Sequence, residues 1–332
     1  MALKALDFEE IKQLTARFAQ SLDFGDPSGF AACFAVDGVF TVDGETYEGE
    51  ELGRYAAEKT AKWGGHFRHT EAVSPLIDGG GNMARALSYG CYTRDYGAPV
   101  GANQTTRSGP VLSGVYEDIL VRIDGSWLFA SRTFHRDASP AVLGRVGRSL
   151  EIEPVNAGPA SSDGGLTPLD YEAIRQLTTR YGYTLDFSDE HGFVDCFMPD
   201  GYFEIKTMGD PDFDGESRIE GSKGLREMCA FMAPRLMGHV RHGVMNAVIE
   251  GSGERATVSS YGFFTMDRGQ KARPNESDCF EIETTGIYRD EVVKKNGYWR
   301  FAGRTFRYDG WPDVTELVGQ PMSTSLWRFA SN

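Results

Sequence analysis

The chain of 332 residues has six histidines, and four of them lie in two copies of one tetrapeptide, "HFRH" at 66–69 and "HVRH" at 239–242. Each copy has an aspartate upstream, Asp23 in "SLDFGD" and Asp186 in "TLDFSD". Each has an arginine downstream, Arg132 in "SRTF" and Arg304 in "GRTF". An imidazole takes and gives protons near neutral pH, and a carboxylate on one ring nitrogen fixes its tautomer and raises the basicity of the other. A nearby guanidinium can hold negative charge as it develops. Together these types make an acid–base set.

If each tetrapeptide opens a strand, alternate side chains diverge. His69 then shares a face with Phe67 and His242 with Val240, whereas His66 and His239 share the other face with Arg68 and Arg241. The apolar neighbour points to His69 and His242 as the cavity-facing members. Diverging histidines argue against a two-histidine metal site, and no third ligand has zinc-like spacing. The competing reading is a pair of core histidines with local hydrogen bonds. Asp26 and Asp189 directly precede a second helix and suit its N-cap, which leaves Asp23 and Asp186 for chemistry. Arg132 and Arg304 could pair with those aspartates or hold an oxyanion.

The elements that must position these residues occur twice. Residues 7–40 align without a gap to 170–203, with about half of the positions identical. "SYGCYTRD" (88–95) answers "SYGFFTMD" (260–267), and 113–134 answers 285–306. Each half reads as an amphipathic helix (Phe8, Ile11, Leu14, Phe18, Leu22 in the first), a short second helix, a strand, a third helix and long alternating strands joined by Gly-containing turns. The expected fold is therefore α+β: two tandem cone-shaped domains, each a curved antiparallel sheet wrapped over N-terminal helices. Domain 1 spans 1–136 and domain 2 spans 168–310. A linker, rich in Gly, Pro, Ala and Ser in its later part, fills 137–167, and a tail with Trp311, Leu317 and Trp327 fills 311–332.

The LDxxD turn, the RH strand start, the DG or NG…W hairpin and the strand-borne arginine resemble, twice over, the SnoaL-like branch of the nuclear transport factor two superfamily. The resemblance implies a cavity between helices and sheet, and an Asp–His dyad that works without a cofactor. A dehydratase pattern of that family has a tyrosine five residues before the aspartate, which repeat two matches as Tyr181, Asp186, His242 and Arg304. Repeat one offers Asp23, His69 and Arg132, with Phe18 in place of the tyrosine. The family's asparagine after the histidine appears as Asn246 and is missing near Ser74. On that pattern His242 takes a proton, Tyr181 donates to the leaving oxygen and Arg304 stabilises the charge. The result is β-elimination, or loss of an aldehyde by C–C cleavage from a lignin-derived diaryl diol. Tyr89, Tyr116, Tyr261 and Tyr288 are candidate walls for an aromatic or polycyclic substrate, against the alternative of ordinary sheet packing.

A net charge of −14 disfavours nucleic acid and anionic membrane surfaces as partners. Five cysteines without a framework spacing suggest reduced thiols and a cytoplasmic location, with Cys33 and Cys196 as buried filler. "DPDFDGESRIE" (210–220) has calcium-loop spacing at Asp210, Asp212 and Asp214, but Gly221 stands at position twelve, so it reads as a solvated insertion in repeat two. The expectation is a cofactor-independent lyase, with no metal, whose two halves form an intramolecular pseudo-dimer open to further self-association. An isomerase, cyclase or hydrolase on the same scaffold, and a non-catalytic binding module, are the alternatives. Survival of Asp, His and Arg in both copies favours an enzyme.

Overall fold

A computed structural model of the protein describes residues 2–63, 67–71, 75–95, 99–101, 104–105, 108–137, 139–207, 215–236, 239–267, 271–273, 276–277 and 280–309. His66, Ser74, Asp210, Asp212, Asp214, Cys279 and the tail with Trp311, Leu317 and Trp327 lie outside these ranges.

The first repeat contains α1 (Ala5–Phe24), α2 (Pro27–Ala31), β1 (Phe34–Val42), β2 (Glu45–Glu48), α3 (Glu50–Trp63), β3 (Phe67–Glu71), β4 (Leu76–Gly80), β5 (Met83–Asp95), β6 (Pro99–Gly101), β7 (Gln104–Thr105), β8 (Ser108–Ile123) and β9 (Ser126–Arg136). After α4 (Pro140–Leu143) come α5 (Pro168–Asp186), α6 (Glu190–Asp195), β10 (Phe197–Thr207), β11 (Gly215–Glu220), α7 (Gly221–Leu236), β12 (Val240–Ser252), β13 (Arg255–Asp267), β14 (Lys271–Arg273), β15 (Glu276–Ser277), β16 (Phe280–Lys295) and β17 (Tyr298–Tyr308).

Local chemistry sets the helix ends. Thr167 caps α5, with Pro168 in its first turn and Asp170 closing a capping box. Gly25 ends α1 in the left-handed conformation at φ 72°. As the sequence suggests, Asp26 and Asp189 cap the short helices, accepting from the backbone N–H of Gly29 at 2.8 Å and of Gly192 at 2.9 Å.

The two sheets share one topology, β2-β1-β9-β8-β5-β3 and β11-β10-β17-β16-β13-β12, with β4 also on β5. They are mixed rather than purely antiparallel, because β1 runs parallel to β9 and β10 parallel to β17. Each sheet's inner face and its helices enclose one apolar core, around Phe18, Phe40 and Phe129 in the first repeat and Ile174, Phe203 and Phe301 in the second. The hairpin tryptophans tie the last strand to the helix start: Trp127 Nε1 donates to Asp7 at 3.2 Å and Trp299 Nε1 to Asp170 at 2.9 Å. Lys294 also reaches Asp170, at 2.8 Å, with both side chains buried.

A third apolar cluster joins the repeats. Leu87, Tyr89, Cys91 and Val115, on the outer face of the first sheet, pack on Tyr183 and Phe187 at the end of α5. Val142 and Ile152 from the join complete it. The early part of the segment read as a linker is thus built into the interface. The supposed insertion also needs correction: its end, Gly215–Glu220, is β11, which pairs with β10 as β2 pairs with β1.

Candidate active site

The helix end and the strand start are brought together in both repeats. Asp23, in the last turn of α1, accepts from the His69 backbone N–H at 2.9 Å and contacts His69 Nδ1. Asp186, the last residue of α5, accepts from the His242 backbone N–H at 2.8 Å through Oδ2 and contacts His242 Nδ1 through Oδ1. A carboxylate at a helix C-terminus faces the negative end of the macrodipole, so these N–H donors offset an otherwise unfavourable placement. The His69 and His242 side chains remain 17% and 11% exposed while Asp23 and Asp186 fall to 5% and 0%, so the rings are the accessible members. Burial lowers the His69 pKa, and the Asp23 contact opposes that shift.

Gly182 brings α5 close to the second dyad. A Cβ there would meet the His242 carbonyl oxygen at 2.8 Å and the His242 Cβ at 3.3 Å. Repeat one carries Ala19 at the same position.

The arginines do not pair with the dyad aspartates. Arg132 pairs with Asp118 at 3.0 Å and Arg304 with Asp290 at 3.6 Å, every one of the four side chains fully buried. Asp118 and Asp290 escaped the sequence reading, although "YED" and "YRD" repeat them at matching positions. The guanidinium carbon of Arg304 lies 3.8 Å from the Tyr288 ring centre and 4.2 Å from that of Tyr181. Arg132 lies 3.8 Å from the Tyr116 ring and 4.4 Å from the Phe18 ring. Burial holds the Tyr181 hydroxyl well above its ordinary pKa, reinforced by Tyr288, and Arg304 draws it back down.

The candidate substrate residues divide. Tyr116 and Tyr288 lie inside their cones beneath the arginines, and Tyr116 shares a hydrogen bond with the Tyr92 hydroxyl. Tyr92 and Phe264 stand 4.4 Å from the His69 and His242 ring centres. Tyr89 does not face the interior of its own repeat. It sits on the outer sheet face, buried between repeats, and its hydroxyl donates to Asp186 Oδ2 at 2.8 Å. Its counterpart Tyr261 is 53% exposed. Asn246 is exposed in a bulge of β12 at φ 53°, a conformation that asparagine tolerates better than most residues. These three placements correct the expectation of substrate walls, because strand alternation does not say which face a cavity uses.

His135 lies on the outer surface, its Nε2 2.7 Å from Glu117 Oε2. Cys33 and Cys196 are buried and unpaired, and burial pushes each thiol up to about 11. Among the described residues no group of three His, Cys, Asp or Glu side chains could hold a metal ion. Nor is any helix among them long and apolar enough to cross a membrane.

A SnoaL-like domain model matches residues 4–133 and again 167–305. The chain therefore belongs to the SnoaL-like domain family, as a tandem duplication with α+β repeats. Its fold is also similar to solved structures that each cover less than half of it. A protein of unknown function from Mycobacterium tuberculosis is 27% identical, with 43% of this chain and 78% of that one covered and a TM-score of 0.36. An NTF2-like protein from Novosphingobium aromaticivorans is 19% identical, with 45% and 88% covered and a TM-score of 0.36. Aln2 from a Streptomyces species is 21% identical, with 46% and 97% covered and a TM-score of 0.37. A search of curated proteins found no match.

Proposed function

We propose that the protein is a cofactor-independent lyase that eliminates water or an aldehyde from an aromatic or polycyclic alcohol, with the second repeat as the principal site. The observation that carries this reading is the Asp186–His242 contact, in which the carboxylate engages Nδ1 and the backbone N–H of the same residue. Nδ1 is thereby committed, and Nε2 is the nitrogen left to remove a proton from carbon or from a substrate hydroxyl. Tyr181 is the proton donor to the leaving oxygen. Arg304 touches the phenol rings rather than the dyad, so it acts by favouring phenolate character on Tyr181 and Tyr288 and by its field on the developing charge. Proton transfer of this kind supplies about 10²- to 10⁴-fold per step. A lignin-derived diaryl diol suits the aromatic interior. Four unpaired, buried thiols (Cys33, Cys91, Cys196, Cys229) support a cytoplasmic location.

The test is incubation of metal-stripped protein with aromatic, polyketide and steroid alcohols, including diaryl diols, with product masses followed. Asp23→Asn, Asp186→Asn, His69→Ala and His242→Ala are run beside it. Loss of water or formaldehyde that disappears with Asp186→Asn and His242→Ala is the expected result. Turnover that survives all four substitutions would mean that the dyads are structural. A product of unchanged mass but altered chromatographic retention would move the reading to an isomerase or cyclase.

A further inference from the structure

The strongest feature outside either cone lies where the repeats meet. Asp186 is the hidden member of the second dyad, and its Oδ2 accepts two hydrogen bonds of 2.8 Å, one from the His242 backbone and one from the Tyr89 hydroxyl. The second of these comes from the other repeat. Tyr89 is held there by a stack on Tyr183, 4.0 Å between ring centres at 28°, and by the Arg241 guanidinium 5.2 Å from its ring. Arg241 in turn pairs with buried Asp137 at the end of the first sheet. The first site has a different environment: Tyr261, the counterpart of Tyr89, is 53% exposed, and Phe24, the counterpart of Phe187, is 70% exposed.

We propose that Tyr89 is a positioning residue for the acid–base pair of the opposite repeat, so that the second site is assembled from both halves of the chain. The inference rests on Asp186 and His242 being the reacting dyad. A buried phenol needs an acceptor, and a buried carboxylate needs donors. Their contact satisfies both and fixes the carboxylate plane relative to His242. It also withdraws negative charge from Asp186. The deprotonated dyad carries one full negative charge and the protonated dyad none, so a donor on the carboxylate stabilises the deprotonated form more. Removing the donor therefore makes the dyad hold its proton to higher pH. The other charged or titratable groups around Asp186 are Arg241, Tyr181 and Tyr288; of these Arg241 also interacts with Tyr89, and Tyr89→Phe keeps the ring that it lies against.

Tyr89→Phe keeps the ring, its stack and its burial while deleting the hydroxyl. Made in a His69→Ala background, it reports the second site alone. The expected result is a fall in kcat/KM of about ten-fold and an acidic limb of its pH profile displaced to higher pH. The downfield proton resonance between His242 and Asp186 should also move further downfield, because fewer donors share the carboxylate. Tyr261→Phe in the same background should change neither. A pH profile and a proton resonance that coincide with those of the parent would overturn the proposal. The resonance is read without substrate, so it decides the role of Tyr89 even if no alcohol in the panel is turned over, an outcome that would count against the lyase reading alone.

Discussion

Arg304 and Asp290 face each other at 3.6 Å inside the second cone, with neither side chain exposed. Burial pushes the Asp290 carboxyl up to about 7, against the pull of Arg304 and Arg289. An unfolded aspartate titrates near about 3.9. Between those values the folded chain holds a proton that the unfolded chain has released. Asp290 therefore makes stability fall as pH rises through that window, by up to about 1.4 kcal/mol per unit. Urea unfolding across the window should show the decline, and Asp290→Asn should flatten it. A variant whose decline matches the parent's would show that Asp290 does not titrate there.

The Asp170 network tests what holds the repeat together. Asp170→Ala would remove the acceptor for Trp299, open the capping box and strand the Lys294 ammonium in the interior. Loss of one partner of a buried pair costs about 3–5 kcal/mol. Chemical denaturation should show a loss of that size. A cost below about 1 kcal/mol, the level of an exposed ion pair, would mean that water reaches Lys294.

Gly182→Ala probes the approach of α5 to β12. The added Cβ must push against the His242 carbonyl, a backbone atom that cannot swing away. Overpacking of this kind costs about 1–3 kcal/mol and would shift His242 relative to Asp186, so both the melting temperature and second-site turnover should drop. Unchanged turnover alongside lowered stability would show that the dyad tolerates the displacement.

Tyr181→Phe gives repeat two the aromatic that repeat one already has at Phe18, so the fold should persist. If the phenol protonates the leaving oxygen, kcat at the second site should fall about 10²- to 10⁴-fold. Retention of full kcat would assign proton donation to another group, with Tyr288 the nearest phenol over Arg304.

What the sequence by itself determined is what local pattern or repetition encodes. The duplication and the caps Asp26 and Asp189 follow from segments that recur at matched spacing, and the pairing of Asp23 with His69 and of Asp186 with His242 follows from the family resemblance those segments carry. The partners of Arg132 and Arg304 were within reach too, since Asp118 and Asp290 repeat with them, but two candidate carboxylates stood at suitable positions and only the strand register chooses between them. The placement of Tyr89 belonged to tertiary structure alone. Alternation assigns it a sheet face, but whether that face meets solvent, substrate or another domain depends on how the repeats pack. In this chain the packing is unequal: the outer face of the first sheet rests on the end of α5, while Tyr261 and Phe24 are left exposed. Two repeats with the same fold and the same Asp–His pair therefore acquire different dyad environments, because burial and hydrogen bonding are set by the neighbour and not by the segment itself.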